Sequence, residues 1–331
     1  MAKRKYSKAK KMQPAVTRLW FHIDSGNDTN YIDLSLAASA ANRRFYRQGL
    51  TWAVAGMKLH TFPSGEKSVT GNFDVSKIPE TWMAANAHTK AKKLWMKSQD
   101  QVLDDQPSIA AKYRDFKINL DKDMLSSTIQ DASANAAGDG EIMLPVDRQD
   151  FTAKYGEWIY STFQLPTDGG SAAPDEVQMH MVGPNLGTAP NLTSVGLIHG
   201  YGLARSRPQL IEPNTPTDGG WMTEVFDVAD NLDEIRLDVS DNNDVPPYRV
   251  GDVATADEYY PGGVNNQPST ALHAVEFITS STIGGVTSVP GGIFPCGLIR
   301  FDWSINESQT SMYLAVDLVP GTHKGYLAEE Y

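Results

Sequence analysis

Six cations, Lys3, Arg4, Lys5, Lys8, Lys10 and Lys11, stand in the first eleven residues with no acid among them. Like charges at that density repel and build no core, so residues 1–12 are expected to form a disordered basic arm. Such an arm holds a polyanion by displacing its counterions, or serves as a nuclear-targeting signal. A solubilising tail is the plainer reading of the same charges. A second group lies at Asn42-Arg43-Arg44-Phe45-Tyr46-Arg47, where three arginines interleave with two aromatics. Guanidinium groups pair with phosphates and stack on bases, and aromatic rings offer stacking faces. The alternative for Arg43, Arg44 and Arg47 is a solvated strand or helix edge. Trp20 and His22 share the more polar face of a strand next to the arm and can add a platform for an unstacked base.

Other chemistry is harder to place. The chain has no GxxxxGK[ST] phosphate loop, no GxGxxG after a strand, no GxSxG nucleophile elbow and no HExxH pair. His22, His60, His88, His180, His199, His273 and His323 are scattered, with no pair at metal-ligand spacing. The run Asp238-Val239-Ser240-Asp241-Asn242-Asn243-Asp244 offers hard oxygen ligands but lacks the glycine and distal glutamate of an EF-hand, and solvated loop acids are the better reading of it. Among 40 Asp and Glu no pattern singles out a catalytic pair. No catalytic residue, metal or cofactor is therefore assigned.

The elements that must position these residues read as strands. Thr17 to Asp24 alternates, with Leu19, Phe21 and Ile23 on one face and Arg18, Trp20, His22 and Asp24 on the other. Similar alternation appears at Met57–His60, Val177–Met181 and Met312–Leu318. Apolar, β-branched or aromatic runs occur at Glu157–Leu165, Ser194–Tyr201, His273–Thr279 and Gly297–Trp303, with weaker candidates at Lys67–Val75 and Glu141–Asp147. Turns are expected at Pro63-Ser64-Gly65, Asp168-Gly169-Gly170, Asp218-Gly219-Gly220, Pro261-Gly262-Gly263 and Pro290-Gly291-Gly292. From Thr81 to Val102, apolar residues at Ala84, Ala87, Ala91, Leu94, Trp95 and Val102 follow helical spacing. Lys90, Lys92, Lys93 and Lys97 fall mostly off that stripe. The reading is an all-β antiparallel jelly-roll β-sandwich with long loops and an inserted helix near 80–105.

Charge is divided along the chain. Residues 1–122 carry 21 Lys/Arg against 11 Asp/Glu, and residues 123–331 carry 8 against 29. That polarity suits a shell with a basic inside and an acidic outside. Residues 212–258 form an acidic stretch expected in exposed loops, with a short helix within Thr223 to Leu237. Cys296 is the one cysteine, which excludes an internal disulfide. No apolar run reaches the length of a membrane span, and no secretory signal follows Met1, so maturation in cytosol or nucleus is expected.

Several segments resemble the capsid proteins of small circular Rep-encoding single-stranded DNA viruses, the environmental and marine kind. They are Asn42-Arg43-Arg44-Phe45-Tyr46-Arg47-Gln48-Gly49; Thr81-Trp82 with Asn86, Lys90 and Leu94-Trp95; Pro107-Ser108 with Lys112-Tyr113-Arg114-Asp115-Phe116-Lys117; and Glu157-Trp158-Ile159-Tyr160-Ser161. Further on come Ser194-Val195-Gly196-Leu197-Ile198 with Ser206-Arg207, Pro246-Pro247-Tyr248, Tyr260-Pro261-Gly262-Gly263 and Pro295-Cys296-Gly297-Leu298-Ile299. The resemblance implies a single jelly-roll capsid domain at 13–331. It also implies a homo-oligomeric icosahedral shell of T=1 type around circular single-stranded DNA, with the basic arm inside. The arm here is short and mostly lysine, where circovirus-like arms are long and arginine-rich. It implies a virion protein, assembled in the host nucleus or cytoplasm, with no membrane partner and a host receptor left unspecified. Two other readings of the residues stay open: a carbohydrate-binding or carbohydrate-active β-sandwich, and the coat protein of an RNA virus.

Overall fold

The computed structural model describes residues 13–23, 29–62, 70–105, 115–129, 141–148, 153, 158–165, 175–188, 191–206, 269–279, 285–306 and 311–331. The arm, the acidic stretch 212–258 and the turns expected near 63, 168, 218 and 261 lie outside these residues. The chain begins with β1 (Arg18–Ile23), β2 (Thr29–Asp33), α1 (Leu34–Asn42), β3 (Leu50–Phe62) and β4 (Gly71–Lys77). An insertion follows with α2 (Trp82–Asp105), α3 (Lys122–Ser126), β5 (Thr128–Ile129), β6 (Glu141–Ile142), β7 (Thr162–Leu165), β8 (Asp175–His180), β9 (Leu186–Thr188), β10 (Asn191–Gly196) and α4 (Leu197–Ser206). It closes with β11 (Ala271–Ile278), β12 (Val286–Phe294), a 3-10 turn at Pro295–Gly297, β13 (Leu298–Ile305), β14 (Ser311–Leu318), β15 (Pro320–Gly321), β16 (Gly325–Tyr326) and β17 (Ala328–Glu330).

The protein is mostly β and its sheets are mostly antiparallel. Sheet A has the order β1-β14-β3-β12, with β17 also on β3; sheet B has the order β11-β4-β13-β2-β6-β5. Four pairings are nested in sequence: β1 with β14, β2 with β13, β3 with β12 and β4 with β11, all antiparallel. The two sheets face each other across one core. Leu19, Phe21, Met57, Leu59, Leu314 and Val316 come from sheet A, and Ile32, Phe73, Val75, Ile299, Phe301 and Trp303 from sheet B. Period-2 alternation directs these residues inward, and burying each large apolar side chain contributes about 1.5–3 kcal/mol. The Phe73 and Trp303 rings stack at 5.0 Å.

A second core packs the insertion against the other side of sheet B and α1. It joins Tyr31, Leu36 and Leu298 to Met83, Ala84, Ala87, Ala91 and Trp95 of α2, and to Phe116, Ile118, Met179 and Ile198. The expected helix near 80–105 is α2, but Leu94 is 60% exposed and stands off the buried stripe. Three parallel pairings, β8 with β10 and β6 with both β2 and β5, depart from the antiparallel expectation. Pro290-Gly291-Gly292 is not a turn. It lies inside β12 at the edge of sheet A, where proline's missing N–H is tolerated. A Cβ on Gly291 would fall 2.3 Å from the Ala55 carbonyl, so only glycine lets the backbones approach. The run Ser194–Tyr201 divides: β10 ends at Gly196, and Leu197 onward is helix. Among the described residues of 157–165 Thr162–Leu165 is strand, and of Glu141–Asp147 only Glu141–Ile142.

Candidate nucleic-acid interface

The side of sheet A turned away from the core carries a patterned surface. Because β1, β14, β3 and β12 are in register, their outward residues form rows. Trp20 lies opposite Ala315, Ala315 opposite Lys58 and Lys58 opposite Ser288. In the next row His22 lies opposite Tyr313, Tyr313 opposite His60 and His60 opposite Val286. Phe62 follows at the end of β3, 54% exposed. Trp20 reaches diagonally over β14 to His60, with ring centroids 5.2 Å apart. That crossing closes over Ala315, an outward-facing alanine left only 1% exposed. His22 and Tyr313 meet at 5.0 Å, and Phe62 meets Tyr313 edge-on at 5.8 Å. The result is two neighbouring ring groups, Trp20 with His60 and His22 with Tyr313 and Phe62, five rings across three strands.

The charge on this patch is positive. Arg18 forms a two-pronged pair with Asp317, Nε to Oδ1 at 2.5 Å and Nη2 to Oδ2 at 2.7 Å, and holds that carboxyl below the usual carboxylate range. Lys58 is exposed, two residues before His60 on β3 and across Ala315 from Trp20. The His60 imidazole is held below its ordinary value, first by partial burial and then by the positive charges of Lys58 and Arg18. Trp20 and His22 therefore sit where alternation put them, joined by Lys58, His60, Phe62 and Tyr313. The sequence signal for the added residues was the same alternation in β3 and β14. Their convergence with β1 rests on pairing between residues as far apart as 299 positions.

The arginine-aromatic segment 42–47 is built differently. Asp33 caps the start of α1, its Oδ1 accepting from the Ser35 and Leu36 amides at 2.9 and 3.2 Å. Arg43 ends the helix in the left-handed region at φ 49°, and its N–H bonds to the Ser39 carbonyl. Arg43 and Arg47 are exposed. Arg44 is committed: its Nη1 donates to Gln13 Oε1 at 2.8 Å. Tyr46 is fully buried, packed on Trp52 and Tyr326, with its hydroxyl donating to the Lys324 carbonyl at 2.9 Å. It offers no stacking face, which corrects the expectation for this residue. Phe45 is 47% exposed and its ring lies 6.1 Å from Trp158. The buried Lys117 ammonium lies 4.7 Å from the Trp158 ring and touches Asp115 Oδ2, off the angle of a hydrogen bond. Burial raises the Asp115 carboxyl.

Arg47 also stands at the lip of a cleft of about 700 Å³ with Lys92 and Lys93 of α2, above Phe116, His88 and Tyr331. Lys92 pairs with Glu330 at 3.0 Å. His88 is buried with neither ring nitrogen hydrogen-bonded, and desolvation pushes it down to about 4, so it is neutral near pH 7. Lys3, Arg4, Lys5, Lys8, Lys10 and Lys11 lie outside the described residues. The strand that follows them is described: the Val16 amide donates to Asn42 Oδ1 at 2.9 Å, and Tyr326 Oη donates to the Val16 carbonyl at 2.6 Å. Residues 13–17 thus lead into β1 beside the end of α1.

Ser194 and His180 form a pair at 2.6 Å, but both are fully buried and the other imidazole nitrogen bonds the Pro184 carbonyl at 2.9 Å. The pair fastens the 180–184 turn to β10. Asp121, Asp123 and Asp302 gather around Arg300 at 2.5–3.0 Å, which makes them an ion-pair network. No group of three or more metal-ligating side chains suited to an ion occurs among the described residues, and the acidic run 238–244 lies outside them. No described helix is long and apolar enough to cross a membrane. Comparison with protein-family models, with curated proteins and with solved structures finds no match.

Proposed function

We propose that the chain is a jelly-roll coat subunit that assembles with copies of itself into a small icosahedral shell and packages single-stranded DNA. The observation that carries the reading is the nested pairing. Counting the eight sandwich strands in chain order, sheet A runs 1-8-3-6 and the matching part of sheet B 5-4-7-2. Strands 1 to 4 pair in turn with 8, 7, 6 and 5. A long antiparallel ribbon rolled over itself gives that order, and the two nested Greek keys of a jelly roll are such a ribbon. The insertion sits where strand 4 leaves for strand 5, so it adds a layer without disturbing the roll.

The packaging half of the proposal draws on the basic arm and the face it adjoins. An arm of six cations neutralises few phosphates, so the body must supply more. Exposed Arg43, Arg47, Lys58 and Lys93 are available for that. Each contact between subunits would have to bury on the order of 1,000 Å² to be specific. The expected setting is a virion assembled in the host nucleus or cytoplasm.

The test is to express the full chain, isolate fast-sedimenting material, treat it with nuclease and extract what is protected. A DNase-sensitive single strand supports the proposal. An RNase-sensitive strand would move it to an RNA coat. Absence of any assembled species, with specific sugar binding by the monomer, would replace it with the carbohydrate reading.

A further inference from the structure

We infer that the outer face of sheet A binds unpaired bases by stacking, with Trp20, His60, Tyr313 and Phe62 as the platform and Lys58 as the phosphate contact, so that this coat selects single strands over duplex. The inference rests on the packaging proposal and sharpens it, since that proposal needs only charge. Three observations converge on it. The face holds five rings in edge-to-edge reach, from Trp20 and His60 at 5.2 Å to Phe62 and Tyr313 at 5.8 Å. Phe62 is more than half exposed at 54% and Lys58 is exposed in the same row as Trp20, so the patch combines apolar faces with exposed positive charge. Among the described residues of these rows, the one carboxylate, Asp317, is paired by both prongs of Arg18.

The occupant follows from that chemistry. A surface of rings flanked by cations suits a ligand that alternates flat π-faces with negative charges, which describes a single-stranded nucleic acid. A duplex presents phosphates and base edges but no open base faces, because its bases already stack on each other, so the rings gain no stacking from it. The rows are two residues apart along the strands, about 7 Å, the order of an extended backbone step between bases.

The experiment uses the full chain and a 5-iodouracil-substituted oligo-dT strand, free or annealed to oligo-dA, with photocrosslinks located by mass spectrometry. Affinity is measured in parallel for wild type, for Trp20→Ala/Phe62→Ala and for Lys58→Ala. The expected result is crosslinking of the single strand at Trp20, His60, Phe62 or Tyr313 and loss of those crosslinks with the duplex. Removing both rings should weaken single-strand binding by about 10-fold or more, in keeping with stacking losses seen elsewhere. Lys58→Ala leaves the exposed surface intact and should cost only a few-fold, all of it at low salt. Crosslinks confined to residues 1–17 and 42–47, with unchanged affinity in the ring variant, would overturn the inference. So would equal crosslinking of duplex on the face. Electron microscopy of the same samples separates the two claims: a wild type that never forms shells yet crosslinks on the face removes the coat proposal and leaves the face standing.

Discussion

Segment 42–47 and the outer face of sheet A contain the same ingredients, cations beside aromatics, and the fold uses them in opposite ways. In the segment most of the groups are spent on structure. Tyr46 is buried against Trp52, Arg44 holds Gln13, and Gln48 bridges α1 to the 116–120 stretch. Its Nε2 donates to Asp33 Oδ2 at 2.9 Å and its Oε1 accepts from the Ile118 amide at 2.6 Å. On the sheet the corresponding groups point outward in rows, with Arg18 paired to Asp317 and the rings meeting one another at the surface. A motif's residue types therefore say less about binding than the direction its backbone gives each side chain.

The comparison can be broken or sharpened by substitution. The largest effect should come from Tyr46→Ala, which empties a buried aromatic site and leaves the Lys324 carbonyl only the longer 3.4 Å bond from Arg44 Nη1. A loss of about 3–5 kcal/mol is expected by chemical denaturation, with oligonucleotide affinity unchanged for the protein that stays folded. Reduced affinity at full stability would make Tyr46 a binding residue after all.

Asp33 gives an effect of similar size through pH. Burial pushes its carboxyl up to about 7, against an ordinary value near 4, so between those limits the folded protein holds a proton that the unfolded chain releases. Stability from this group is complete below about 4 and lost as pH rises to about 7, at most about 4 kcal/mol in all. Melting temperatures should fall across that window, and Asp33→Asn should flatten the fall. A slope unchanged in the variant would assign the titration to another group.

Gln48→Ala leaves the Ile118 amide and carbonyl and the Asp33 carboxyl short of partners. It should cost about 2–3 kcal/mol without touching nucleic-acid binding. The smallest change belongs to Arg47→Ala at the cleft lip. Stability should stay within about 0.5 kcal/mol, while the slope of log affinity against log salt drops by about 1. An unchanged slope would remove Arg47 from the interface and leave the sheet face as the chief contact of the body.

Strands of sheet A were legible where each buries one face, whereas β2, with four of its five residues buried, shows no alternation and went unread. β1, the middle of β3 and β14 all show strict alternation, and Trp20 and His22 could be placed on the open side from sequence. What local sequence could not supply was pairing. Lys58, His60, Phe62 and Tyr313 become one patch with Trp20 only because strand 8 inserts between strands 1 and 3. Tyr46 went astray for a related reason. Its neighbours Phe45 and Arg47 are exposed, while the left-handed residue Arg43 turns the chain so that this ring enters the core. Pro290-Gly291-Gly292 carries every local mark of a turn. It is strand because β3 approaches too closely for any side chain at Gly291. Leu197 to Tyr201 is apolar enough for a strand, yet it folds as helix with Leu197 and Ile198 in the second core. The short helix α1 went unread although Asp33 and the alanines after it are an ordinary helix start.

The central claim is that this fold assembles with copies of itself, and size-exclusion chromatography with negative-stain electron microscopy of the full chain expressed alone tests it most directly. The account predicts uniform closed shells, hollow or filled, eluting far ahead of a single subunit. A clean monomer of 36.3 kDa in both low and high salt would contradict it.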